Sequence, residues 1–151
     1  MRRAVPAIFA LAVVAGALPA MAGEPARTEQ ELIDRVRAAI GDRDLGAISE
    51  LVNWEGAPPI RKRIVNFQIN HALGRPVKSI GLEPLPGDAF RDIEAQGRLK
   101  ANMPVTHRLR VVYDEPAENG ASPPASVFLI GQQEGAYRIA LVVRAKRGGG
   151  D

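Results

Sequence analysis

Few side chains in this sequence could do chemistry, and they are scattered. There are two histidines, His71 and His107, and no cysteine. No His-x-x-x-His or Glu-x-x-His pair and no carboxylate cluster accompanies either imidazole, so no metal site is expected. The absence of Cys excludes a thiol nucleophile, a thiolate metal site and a disulfide framework. There is no Gly-x-Ser-x-Gly elbow and no glycine-rich loop leading into a helix, so neither a serine-hydrolase nucleophile nor a phosphate cradle is indicated. His107 and Tyr113 fall on one face of an expected strand, but six residues of extended chain set them about 20 Å apart. One small substrate cannot reach both, although Tyr137 or Asp114 could stand in for one of them. The reading is therefore no catalytic residue, with His107 as the alternative, no metal and no cofactor.

A binding pattern is better supported. Arg108 and Arg110 share one face of a strand, and Arg138 and Arg144 share one face of the last strand with Ala140 and Val142 between them. Folded onto one side, they would give apolar ground flanked by guanidiniums. That suits a small amphipathic ligand with a carboxylate, or a partner protein or second copy offering carboxylates. The plainer account is a wet sheet face whose Arg residues pair with surface acids. Trp54, the only Trp, could be a stacking platform; a large residue closing a helix against the sheet is the plainer account. Arg61-Lys62-Arg63 reads as a solvated first helical turn.

These residues need elements to position them. Met1-Arg2-Arg3, an apolar run from Ala4 to Leu18 and Ala20-Met21-Ala22 have the form of an export signal cleaved after Ala22. The run is shorter than the about 20 residues that a membrane span needs. A mature chain of residues 23–151 is then expected in the bacterial periplasm or outside the cell. Without Arg2 and Arg3 the balance is 18 Lys+Arg against 17 Asp+Glu, which gives no reason to expect nucleic acid. One domain over 23–147 is expected, followed by a glycine-rich disordered tail at 148–151.

Thr28 and Glu31 fit a capping box opening a helix, with Leu32, Ile33, Val36, Ala39 and Ile40 on one face and Gly41 ending it. Asp42 or Asp44 caps a second helix over 45–52. Pro58-Pro59 lead into a third over 60–73, where Ile60, Ile64, Phe67 and His71 fall on one side, and Gly74 ends it. Strands follow at 77–82 and 105–113; segments 90–96 and 98–102 read as a modest hairpin or one bulged strand. The Pro-rich stretch 114–125 is a loop. The last hairpin runs from Ser126 to Arg144, with a polar connection ending in Gly135. Its two arms carry apolar residues in succession, which places it in the middle of the sheet. Helices first and strands after read as α+β: two or three helices packed on one face of a curved antiparallel sheet of four to six strands.

Two stretches, Leu51-Val52-Asn53-Trp54-Glu55-Gly56 and Arg75 to Pro86, together with the late strands resemble a group of uncharacterised exported bacterial proteins. The layout is also similar to the NTF2-like, cone-shaped α+β superfamily. That resemblance implies a binding or dimerising module, or alternatively a cofactor-free isomerase or hydrolase. A non-catalytic binding or protein-interaction domain is the preferred expectation.

Overall fold

The computed structural model describes residues 24–145 of the chain. The expected export segment at 1–22 and the tail at 148–151 lie outside them. The fold is α+β. Three helices come first: α1 (Glu29–Asp42), α2 (Leu45–Leu51) and α3 (Pro59–Ala72). Then follow β1 (Val77–Pro84), a short α4 (Arg91–Ala95), β2 (Leu99–Ala101), β3 (His107–Tyr113), β4 (Ala125–Gln133), β5 (Ala136–Ala140) and β6 (Val142–Arg144). A curved antiparallel sheet has the order β1-β3-β4-β5, and β2 pairs with β6 in a second, two-stranded sheet. Among the described residues no helix is long and apolar enough to cross a membrane.

Local chemistry sets the helix ends. The Thr28 hydroxyl accepts from the Glu31 N–H at 3.1 Å, while the Glu31 carboxylate accepts from the Arg27 N–H at 2.7 Å. Each contact satisfies a donor at the start of α1. Asp44 caps α2 by accepting from the Ala47 N–H at 3.0 Å. The end expected at Gly41 is displaced: α1 runs through it, and Arg43 takes the left-handed conformation at φ 57°. Gly74 explains this. Its own N–H donates to the Ile40 carbonyl at 2.7 Å, and its backbone lies so close to the Arg43 side chain that a Cβ would sit 2.5 Å from Nε. The end of α3 thus closes the end of α1.

The alternation expected for β3 holds. Leu109, Val111 and Tyr113 are buried on the inner face, and Arg108 and Arg110 point outward. Inner-face residues of β3, β4 and β5 share one core with Leu32, Val36 and Ile40 of α1, Ile48 and Leu51 of α2, and Val65 and Ile69 of α3. The segment expected as a hairpin at 90–102 is different. Residues 91–95 are helical, Gly97 turns at φ 67°, and only 99–101 is extended. The short sequence Phe90-Arg-Asp-Ile-Glu-Ala fits helical spacing as well as strand alternation, and its length settles neither.

The final hairpin is also corrected. Its turn is as expected, with Glu134 and Gly135 both at positive φ (54° and 74°) between paired Gln133 and Ala136. It lies at one side of the sheet, however, with β5 as the last strand. The free edge of β5 is taken by non-strand backbone: the Tyr137 N–H donates to the Ala26 carbonyl, and the Asn53 N–H to the Ile139 carbonyl, each at 2.8 Å. An edge covered in this way can be as apolar as a central strand.

The expected single return strand is two strands. At Leu141 the chain leaves β4 and crosses to β2. Asn102 holds this fork. Its side-chain oxygen accepts from the Leu141 N–H at 2.9 Å, and its own N–H donates to the Leu141 carbonyl at 2.8 Å. Its amide nitrogen donates to the carbonyls of Asn53 (2.7 Å) and Glu55 (3.0 Å). Replacing Asn102 with Ala removes three of these four bonds and strands part-buried partners. Urea denaturation of Asn102→Ala is expected to show a loss of about 2–4 kcal/mol. A loss within experimental scatter of zero would mean that the fork does not depend on this residue.

Candidate functional site

The fork creates a groove. The last cross-strand pair of β4 with β5 is Leu129–Ala140, and beyond it Ser126, Val127 and Phe128 face a chain that has turned away. Helix α3 closes the space from the core side. The result is an open groove of about 320 Å³ between α3, β4 and the Ile139–Val142 segment. This volume is at the lower end of small-molecule sites. Val65 and Ile69 from α3, Phe128 and Leu129 from β4, and Ile139 and Leu141 give it an apolar lining. Arg61, Gln68 and Ser126 supply the polar groups, and no carboxylate or imidazole lines it.

Arg61 is the distinctive member. Its Nε is shielded from solvent and has no hydrogen-bond partner among the described residues. A guanidinium nitrogen withheld from water costs free energy unless an acceptor meets it. The first turn of α3 places it there. Pro58 and Pro59 start the helix without a side-chain cap, and Arg61 lies one helical turn before Val65 on the side that faces β4.

Behind Ser126 stands a fixed polar relay. The Ser126 hydroxyl bonds the hydroxyl of fully buried Tyr113 at 2.7 Å. The Arg75 guanidinium carbon lies 3.8 Å from the centre of the Tyr113 ring, in a cation–π contact. Arg75 in turn grips Glu115 with two parallel bonds of 2.8 and 2.7 Å. This fork of hydrogen bonds holds the Glu115 carboxyl below the usual carboxylate range and raises Arg75 further. Both side chains remain about a third exposed, at 31% and 32%.

The residues singled out from the sequence do not assemble at the groove. Arg108 and Arg110 share the outer face of β3, and both converge on Glu83 of β1, Arg108 by a direct hydrogen bond and Arg110 at 3.7 Å. They face Leu129 and Val127 across the strand pair, so the apolar ground beside them exists. Arg138 donates to the Glu50 carbonyl at 2.8 Å and lines a separate small hollow near Glu24. Arg144 is exposed on β6, beyond the break at Leu141, so it no longer continues the face of Arg138 on one strand. The Trp54 indole N–H donates to the Ser49 carbonyl at 3.0 Å, and its ring packs on the core beside the end of α2. His107 is half-buried, with Nδ1 2.8 Å from the Thr106 hydroxyl. Tyr113, on the same strand face, is committed to Ser126 and Arg75. Among the described residues no three His, Asp or Glu gather as a metal site would require.

Sequence reasoning missed Arg61 and Asn102. Arg61 stood in a basic triplet whose members look alike until the sheet defines a side of the helix. Asn102 carried no local signal, because its partners are 39 to 49 residues away. Comparison with known proteins adds no relative: no family model matches the chain, and no curated protein or solved structure does.

The Glu115 pairing fixes the sign of one pH effect. A carboxylate whose folded pKa is depressed stabilises the fold fully above its unfolded pKa, and this is lost as pH falls through the folded value. Arg75 contributes nothing to the change, since it stays charged throughout the acid range. Glu115→Gln is thus expected to be less stable than the parent at neutral pH, with the difference shrinking between about pH 5 and about pH 2. Thermal unfolding at several pH values reads this directly. A difference that stays constant or widens on acidification would contradict the pairing.

Proposed function

We propose that this domain is an exported, non-catalytic binding module, and that its groove takes a small amphipathic ligand carrying one anionic group. One observation carries the reading: the Arg61 guanidinium stands at an apolar groove with Nε shielded from water and unpartnered. A carboxylate is the natural partner of a guanidinium that lines a groove with no acid in it, and Ser126 and Gln68 offer further donors beside it. The apolar part of the ligand would lie against Val65, Ile69, Phe128 and Leu141. Export is inferred from residues 1–22, whose form is that of a cleaved signal.

Binding is preferred to catalysis because the groove offers no general acid or base. Among the described residues no carboxylate, imidazole, amine or guanidinium side chain is fully buried, and the one buried hydroxyl beside the groove, that of Tyr113, is committed to Ser126.

Titration with decanoate, followed by calorimetry, tests the proposal. One equivalent is expected to bind to the parent chain. Arg61→Gln should weaken it roughly tenfold or more, the worth of a charge-assisted hydrogen bond. The double variant Arg108→Ala and Arg110→Ala should bind as the parent does. Unchanged affinity in Arg61→Gln, or a loss in the double variant, would contradict the proposed site.

A further inference from the structure

Helix α3 has two apolar sides. Val65, Ile69 and Ala72 are buried against the core. On the opposite side Ile60, Ile64 and Phe67 are 56%, 43% and 65% exposed, and the His71 ring packs edge-on against Phe67 at 4.6 Å. The helical repeat aligns these four positions in one row, about 16 Å long from Ile60 to His71. A helix that only covers a core has no use for such a row, and it is the longest run of exposed large apolar side chains among the described residues.

The surroundings of the row say what would cover it. Arg61 and Arg63 flank its first half on either side, Lys62 lies on the other side of the helix, and α3 contains no acidic residue. None of the three cations forms a salt bridge with a described residue. Cations gathered at the start of a helix oppose its dipole, so they weaken the isolated helix rather than support it. Arg43, packed against Gly74, adds a cation beyond the far end. A second copy docked row to row would bring three more cations and no acid. A protein partner would have to supply a groove of matching length with an acidic rim. A convex apolar row with cations and no acid beside it matches a surface that is anionic at its boundary and apolar beneath.

We propose that α3 docks this domain on an anionic lipid surface, with Ile60, Ile64 and Phe67 entering the boundary between headgroups and acyl chains, and the flanking Arg63 held at the headgroups. This is peripheral contact, distinct from a membrane span and from the ligand groove on the other side of the helix.

The test uses a local probe, because residues 4–18 of the full chain could themselves meet lipid. The sequence has no cysteine, so Phe67→Cys can be labelled uniquely with an environment-sensitive naphthalene dye. Gln133→Cys, exposed on the distant hairpin, is the control. With vesicles of equal parts phosphatidylcholine and phosphatidylglycerol, the label at 67 is expected to shift to the blue and the label at 133 to stay as in water. Vesicles of phosphatidylcholine alone should produce no shift. Adding Arg63→Gln should weaken the response roughly fivefold, while Arg61 and the groove are left intact. No shift at 67, equal shifts on both vesicle types, or a matching shift at 133 would overturn the proposal. So would a shift at 67 that grows with protein concentration without vesicles, which would assign the row to a second copy.

Discussion

The constraint on which the rest of this structure depends is the fork at Leu141. A strand that leaves its neighbour exposes backbone groups on both sides of the parting, and buried backbone groups must be paired. Asn102 provides the pairing. It bonds both backbone groups of Leu141 and reaches the carbonyls of Asn53 and Glu55, so one side chain joins the second sheet, the fork and the loop after α2. With Leu141 satisfied elsewhere, β4 need not be followed to its end by β5. The unpartnered stretch Ser126–Phe128 is what α3 and Leu141 enclose as a groove.

The same economy appears at the edge of the sheet. Backbone from Ala26 and Asn53, rather than another strand, completes the hydrogen bonding of β5. Above Gly131, the Met103–Pro104 segment crosses so closely that a Cβ there would meet the Pro104 oxygen at 2.2 Å. Glycine is required at that crossing by space, not by its backbone angles. Loops, not further strands, finish this sheet, and they bring Asn102 and Asn53 to the fork. Arg61 arrives from the opposite side, on a helix whose start is set by two prolines.

How much of this could be read in the sequence follows from the range of each interaction. Thr28, Asp44 and the Pro58-Pro59 pair act within one turn, and the helix starts they imply are present. The alternation of β3 and the turn at Glu134-Gly135 are equally local. The end of α1 was misplaced because Gly74, over 30 residues on, decides it. The hairpin was placed in the middle of the sheet because an apolar run reports coverage, and loops can cover as well as strands do. The row of Ile60, Ile64 and Phe67 was legible as a row, but not as an exposed one: periodicity shows that residues share a side, while the rest of the chain decides which side faces the core. For the site, residue type pointed to guanidiniums beside apolar ground. It chose Arg108, Arg110, Arg138 and Arg144 on strand alternation alone. Glu83, the break at Leu141 and the turn of α3 single out Arg61 instead.

The groove between α3 and the parted strands is proposed to hold an amphipathic anion. The most direct measurement is a set of intermolecular nuclear Overhauser effects between decanoate protons and the methyl groups of the isotopically labelled protein. Contacts are expected to Val65, Ile69 and Leu141. Contacts confined to Ile60 and Ile64, on the far side of the helix, would contradict this placement, as would a ligand seated on the outer sheet face beside Arg108 and Arg110.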